Sequence, residues 1–273
     1  MGNRQSLDYP TLPKSYKGAF PFKIATTSFI YPDDYVPNVK MLGHYVDEIE
    51  LLLFESLRPD SLPSRAVIAE LGRLAVEFDL SYNVHLPTDI SISDRNFERQ
   101  KDAVETMARV IDLVDPLDPS ALILHVPYHE KSFEDPVVRN WQNRVFQNLS
   151  KITSALENRK RIAVETLDYS LELMADIIVD LDLSICLDLG HLMVYDYDVL
   201  EVFEQYASRT TVLHLHGVEN GRDHMTLERL SDKLFEPVRQ VLNNFTGVVS
   251  LEVFAFKNLA SSLEYLEHYW KKN

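Results

Sequence analysis

From residue 22 onward, short apolar runs alternate with stretches of helical periodicity. The runs are Phe22–Ser28, Glu48–Glu55, Ser81–Pro87, Ala121–Pro127, Arg161–Leu167, Leu183–His191, Thr211–Gly217 and Val248–Phe254. Near-continuous apolar runs of this length suit strands covered on both faces, as in a parallel sheet. Between them, Val67, Leu71, Leu74 and Phe78 recur at helical spacing, as do Val104, Met107, Ala108 and Ile111. Each set forms one stripe on a helix. Segments 135–158, 170–181, 197–208, 226–244 and 257–271 are helix-compatible, and the shortest predicted crossover is 36–47. Residues 1–21 are polar and carry Pro10, Pro13 and Pro21. They read as a flexible arm ahead of one domain spanning 22–273.

Eight strands joined by helical crossovers fit either a closed barrel or an open doubly wound sheet. An open nucleotide-binding sheet carries a glycine-rich first turn. This chain has eight glycines and neither a G-x-G-x-x-G nor a G-x-x-x-x-G-K-[ST] segment. The expected fold is therefore a single (β/α)8 TIM barrel, for which 273 residues is an ordinary length. The formal net charge of −15 lacks the basic face that phosphate backbones and anionic membranes require, so neither is an expected partner. A single cysteine, Cys186, excludes an intrachain disulfide and fits a cytoplasmic location. Within its apolar run it reads as a small buried side chain. No run approaches a membrane span and no secretory leader is seen. Met1-Gly2-Asn3-Arg4-Gln5-Ser6 matches the loose myristoylation pattern, which reads as chance without a second anchor.

The chemistry sits where the strands end. Six successive runs close on His85, His125, Glu165, Asp188, His214 and Glu252. The first three recur at 40-residue intervals, a sign of common register. Charged groups amid buried residues cost several kcal/mol unless paired or bound to a cation. In a barrel these ends meet at one mouth. Singly, a strand-end histidine reads as a satisfied core residue and a strand-end carboxylate as a helix cap. As a set they point to divalent metal, one ion or two. Mixed imidazole and carboxylate donors suit zinc, manganese, iron or cobalt better than calcium or magnesium. Glu165, Asp188, His214 and Glu252 can hold one ion; His85 and His125 add a second place if Glu165 bridges. His191, three residues past Asp188, and His216, two past His214, are candidates for substrate contact or proton transfer. So are Arg222 and His224 in Gly221-Arg222-Asp223-His224, a segment that also reads as an ordinary polar turn. Asp33, Asp34 and Glu55 follow strands 1 and 2; the first two read as turn residues and Glu55 as able to reach the mouth. Trp141 and Trp270 read as packing residues.

This order of histidines and carboxylates resembles the xylose isomerase-like barrels, which include the endonuclease IV group. The resemblance spans roughly residues 22–256 and implies a metal-dependent enzyme. A closer resemblance is carried by Thr26–Val39, Val46–Glu55, Cys186–His191, Leu213–Val218, Gly221–His224 and Leu251–Phe254. These segments are similar to the cobamide-remodelling phosphodiesterase family (CbiR). That resemblance implies a cobamide as small-molecule substrate. It further implies hydrolysis of the phosphoribosyl bond in the nucleotide loop, giving cobinamide phosphate and the α-riboside of the lower ligand, for vitamin B12 salvage. One departure stands out. The endonuclease group has an Asp-x-His pair after strand 7 that helps hold a third zinc, and here Arg222 and His224 take those places. That puts a third site and DNA repair in doubt. A sugar isomerase or epimerase, an abasic-site endonuclease and a non-catalytic cobamide- or metal-binding protein remain the alternatives.

Overall fold

The computed structural model describes residues 9–58 and 60–270. Eight strands close into a parallel barrel. These are β1 (Lys23–Thr27), β2 (Glu48–Leu52), β3 (Ser81–His85), β4 (Leu122–Leu124), β5 (Ile162–Glu165), β6 (Ser184–Asp188), β7 (Thr210–Leu215) and, after an inserted hairpin of β8 (Gly217–Glu219) and β9 (Arg222–Met225), β10 (Val248–Leu251). Neighbours run β1-β10-β7-β6-β5-β4-β3-β2 and back to β1. The crossovers carry α1 (Tyr35–Leu42), α2 (Arg65–Phe78), α3 (Phe97–Val114), α4 (Asp135–Thr153), α5 (Glu172–Asp180), α6 (Leu189–Val194), α7 (Val199–Tyr206), α8 (Asp232–Asn243) and α9 (Phe256–Trp270). The expected (β/α)8 barrel is the fold observed.

Strand periodicity of two divides the core into two compartments. Ile24, Ile49, Leu51, Val164, Leu187, Leu213 and Val249 belong to the large cluster shared with the helices. Ala25, Ala121, Ile123, Ala163, Cys186, Val212 and Val248 form a separate, smaller cluster that fills the barrel itself. Small side chains dominate this inner layer because eight strands leave room for little more than one side chain per strand. Cys186 is fully buried there, and burial raises its thiol pKa far above the usual range. It is a packing residue, as its sequence context suggests.

The same inward-facing positions carry polar groups below and above that layer. At the floor, Glu48 is fully buried and fully engaged. It accepts from Ser81 Oγ at 2.6 Å, from Asn83 Nδ2 at 2.9 Å and from Ser120 Oγ, with Lys23 Nζ at 3.6 Å.

Three features differ from the sequence reading. First, the expected free arm is packed from residue 9 onward. Leu12, Tyr16 and Phe20 are buried, the Tyr16 amide donates to Tyr45 O at 2.8 Å, and Trp270 meets the Phe20 and Phe22 rings edge-on. Burying each such side chain contributes about 1.5–3 kcal/mol, enough to hold a short segment down. Residues 1–8, with the myristoylation-like motif, lie outside the described residues. Second, the strands stop one to three residues early, so His125 and Glu252 stand just past the strand ends, Glu252 still donating its amide to Leu215 O at 3.2 Å, and His191 lies in α6. Third, the segment after β7 is an antiparallel hairpin, with Asn220 (φ 53°) and Gly221 (φ 72°) at its turn. Two consecutive positive φ values are what a two-residue hairpin loop demands, and Asn-Gly supplies them at little cost. Trp141 packs as expected, fully buried. No described helix is long and apolar enough to cross a membrane.

Candidate metal centre

Inward-facing positions at the strand tips converge on one polar pocket. His85, Glu165, Asp188, His214 and Glu252 are buried, and His125 is partly open. Glu165 sits at the centre. Its Oε2 lies 3.1 Å from His85 Nε2 and 2.9 Å from His125 Nε2, while its Oε1 lies 3.4 Å from His214 Nδ1. His214 Nδ1 is also 3.2 Å from Glu252 Oε2 and 3.8 Å from Asp188 Oδ2. The donor atoms of His85, His125 and Glu165 lie within 4.8 Å of one another, as do those of Glu165, Asp188, His214 and Glu252. The two groups share Glu165, one oxygen facing each.

The electrostatics of this pocket favour a cation. Among the described residues no lysine or arginine pairs with Glu50, Glu165, Asp188 or Glu252, although all four carboxylates are buried. Glu165 Oε1, Glu252 Oε2, Glu50 Oε1 and both nitrogens of His214 have no hydrogen-bond partner. Orphaned buried acceptors are rare because each costs about 1–3 kcal/mol. Here they point at one another, with only histidine charge to offset them. Burial pushes the Glu165 pKa up, but His125 and His214 outweigh it and hold the group well below the usual carboxylate range. Burial likewise lowers the His214 pKa, yet the surrounding acids drive it well above its ordinary value. A divalent cation in this space would replace those protons and satisfy the orphaned atoms, so the residues fit a metal.

The histidine tautomers support the same assignment. His85 Nδ1 is 3.0 Å from Leu86 O. A carbonyl only accepts, so Nδ1 carries the proton and the Nε2 lone pair faces the pocket. This is the usual way a ligating imidazole is oriented. His191 Nδ1 donates in the same manner to Thr166 O at 3.1 Å, and His224 Nδ1 to Glu252 O at 3.1 Å. Both leave Nε2 free.

His216 behaves differently. The His224 amide donates to its Nδ1 at 3.0 Å, and its Nε2 faces Asp188 Oδ1 at 3.1 Å. Burial lowers its pKa, but Asp188 raises it further, to about 9. Although ring atoms of His191, His216 and His224 lie close together, both His216 nitrogens are already engaged. We assign it to steadying Asp188 and the hairpin rather than to binding an ion. Gly190 makes this packing achievable. A Cβ there would stand 1.9 Å from His216 Cε1. Asp188 is itself doubly placed, since its Oδ1 accepts the His191 amide at 2.7 Å and caps α6.

The hairpin places the candidates of the Gly221–His224 segment unequally. Arg222 stands exposed on β9, while the positive φ of His224 (50°) breaks the strand alternation, so that Asp223 and His224, though adjacent, both turn toward the cluster. Asp223, one residue on, reaches in: its Oδ2 is 3.9 Å from both His191 Nε2 and His224 Nε2. An Asp and two histidines therefore do stand beside the main set, in place of the Arg222–His224 pair read from sequence. Glu55 lies at the rim, mostly exposed, 3.5 Å from Arg58. Asp33 and Asp34 are loop and cap residues ahead of α1, without a place in the pocket.

The residue sequence reasoning missed is Glu50. It faces inward on β2, fully buried, with Ser250 Oγ donating to Oε2 at 2.5 Å and Oε1 3.3 Å from His214 Nε2. That last approach is close without the alignment of a hydrogen bond. A carboxylate there favours a proton on Nε2 and so leaves Nδ1 for an ion.

The barrel has known counterparts. Residues 38–269 match the family model described as "Xylose isomerase-like TIM barrel". The chain belongs to the xylose isomerase-like TIM-barrel family. No curated protein matches it. Among solved structures, this xylose isomerase-like barrel is similar to a D-tagatose 3-epimerase-like protein (TM-score 0.74, 21% identity, covering 92% of this chain and 97% of that one). It is also similar to endonuclease IV from Thermus thermophilus (0.70, 18%, 92% and 100%) and to a 3-keto-D-glucoside 4-epimerase from E. coli (0.67, 15%, 92% and 99%). At these identities the likeness establishes the fold.

Proposed function

We propose that the protein is a metal-dependent phosphodiesterase that hydrolyses the phosphoribosyl bond in the nucleotide loop of a cobamide. One observation carries the hydrolytic reading: Glu165 is shared between two complete donor groups, one oxygen to each. A carboxylate shared in this way suits a pair of divalent ions, which if bound would supply stabilisation of the attacking and leaving oxygens of an in-line displacement. Sugar isomerisation needs the second group alone, and the His85–His125 half would then be idle. The cobamide itself rests on the segments similar to the cobamide-remodelling phosphodiesterases, and the acidic net charge favours it over a nucleic acid.

The chain's own part is positioning and proton handling. His85, His125, Glu165, Asp188, His214 and Glu252 would hold the ions, which by donor type would be zinc, manganese, iron or cobalt. His191 and His224, each with Nδ1 turned to a backbone carbonyl, present Nε2 at the opening, placed to take a proton from attacking water or to hold a further cation with Asp223. Water adds to phosphorus, the bond to the ribose oxygen breaks, and that oxygen leaves with a proton. The products are cobinamide phosphate and the lower ligand's α-riboside.

The test is incubation of the purified protein with adenosylcobalamin and zinc, manganese, iron or cobalt, with the products followed by mass spectrometry. Absence of cobinamide phosphate with every metal overturns the cobamide reading. A second reading, sugar epimerisation, is favoured by the self-sufficient Glu165–Asp188–His214–Glu252 group. It predicts that the double variant His85→Ala/His125→Ala keeps near-full activity on a ketohexose such as D-tagatose. The phosphodiesterase reading predicts that this variant is inactive on the cobamide.

A further inference from the structure

The mouth of the barrel continues past the histidines. Between the tips of β1, β2 and β10 and the start of α1 lies a cavity of about 470 Å³, walled by Phe29, Tyr35, Phe54 and Phe254 with Glu55 and Ser61 at its margin. Two walls touch the metal centre. The Phe54 ring meets the His85 ring edge-on, 4.7 Å between centroids, and the Phe254 ring lies 5.0 Å from that of His224. The cavity therefore opens between the two flanks of the donor set.

Its chemistry is one-sided. Phe29 and Phe254 keep 40% and 41% of their surface in water, an apolar exposure that soluble proteins concentrate at binding sites. Phe29 leans on Tyr35, 5.7 Å between rings, and the Tyr35 hydroxyl is already donated to Leu52 O at 2.9 Å. Among the described residues no cation lines the cavity, and Arg58 beside it is already paired with Glu55 at the margin, so a phosphate finds little to hold it there. The few polar groups at the margin offer little to a sugar with its many hydroxyls. What the walls present is aromatic faces, with one carboxylate at the edge to accept an N–H.

The geometry points to this cavity as the seat of a planar nitrogen heterocycle, a fused two-ring base of the benzimidazole or purine kind, linked through its ribose to the phosphodiester held at the metal centre. The inference rests on the phosphodiesterase reading and deepens it: the base is selected by stacking rather than by a hydrogen-bonded code. Aromatic side chains stack on any flat base. The site accordingly accepts benzimidazole and purine lower ligands alike and rejects a substrate that ends in the bare ribose phosphate.

Titration calorimetry of the metal-loaded protein tests this, with the α-riboside of 5,6-dimethylbenzimidazole as probe and ribose 5-phosphate as control. The riboside is expected to bind, with Phe29→Ala weakening it about tenfold and Phe29→Trp restoring it. Phe29 is exposed and outside the metal set, so metal content is expected to be unchanged in both. Phe29→Ala binding the riboside as well as wild type overturns the inference, as does displacement of the riboside by ribose 5-phosphate held at the metal centre without any dependence on Phe29. The cobamide assay separates this from the broader reading. Cleavage of adenosylcobalamin with a KM unchanged in Phe29→Ala sinks the base site and leaves the phosphodiesterase standing. Riboside binding that depends on Phe29, with no cleavage, supports the base site and sinks the phosphodiesterase.

Discussion

Glu48 and Glu50 stand two residues apart on β2, both facing into the barrel and both fully buried. At the floor, Glu48 is surrounded by Ser81, Asn83, Ser120 and Lys23, and its charge is answered by the protein. At the mouth, Glu50 has Ser250 on one oxygen and only His214 before the other. Glu165 and Glu252 above it carry orphaned oxygens too. Burial alone does not distinguish the two levels. Satisfaction does: a buried carboxylate supplied with protein donors belongs to the scaffold, and one without them has the chemistry of a cation ligand.

The largest effect that can break this contrast is at the shared ligand. Glu165→Gln removes the bridging charge and is expected to strip metal from the protein and cut turnover by more than about 100-fold, the upper range even for residues behind the ligands. Elemental analysis and the cobamide assay measure both, and full metal occupancy in the variant would refute the two-group arrangement. Next come the paired variants on β2. Glu50→Gln is expected to weaken metal binding about 10- to 100-fold while the fold persists. Glu48→Gln is expected to leave metal affinity alone and lower stability by about 1–3 kcal/mol. Chelator competition and denaturant melts read these two quantities, and a reversed pattern would end the distinction between floor and mouth.

Smaller again is the hairpin pair. Asp223→Asn is expected to reduce activity with the main metal set retained, whereas Arg222→Ala is expected to behave as wild type. Steady-state kinetics decide, and a larger loss from Arg222→Ala would restore the assignment made from sequence.

The smallest effect concerns Glu130, a nearly buried carboxylate in the loop after β4 that pairs with Arg95 and Arg144. Here an acid near the mouth is answered by protein donors. Its hydrogen bond with Arg95, aided by Arg144 and opposed by burial, holds its pKa below the usual 4.5. A depressed carboxylate contributes stability that is complete above its ordinary pKa and is lost as pH falls through the folded-state value. Arg95 is largely in solvent, so the contribution is on the order of 1 kcal/mol. Glu130→Gln should flatten the acid side of the stability profile by that amount; an unchanged profile would show the pair to be idle.

Much of the mouth was legible in the sequence because barrel closure turns a linear regularity into a place. His85, His125, Glu165, Asp188, His214 and Glu252 each end an apolar run, and parallel strands in common register must bring such ends together. Glu50 was hidden by the same logic. Within Glu48-Ile49-Glu50 the alternation reads as one polar and one apolar face, and only closure shows that the polar face is the interior. The packed segment before β1 was obscured by its prolines, although Leu12, Tyr16 and Phe20 recur four residues apart. The hairpin was announced by Asn220-Gly221, but strands of three and four residues leave too little pattern to trace. With it went the side to which Asp223 points.

That hairpin makes the two halves of the pocket unequal in how they can change. The strand tips are fixed by the barrel ladder, and moving one would disturb its neighbours around the ring. Asp223 and His224 depend instead on a tight reversal of chain stabilised by a handful of local contacts. Lengthening or shortening that loop would swing them out of reach without disturbing a single barrel strand, so new reactivity in this scaffold can be acquired there by insertion or deletion while the ring of strand-tip donors beneath it stays as it is.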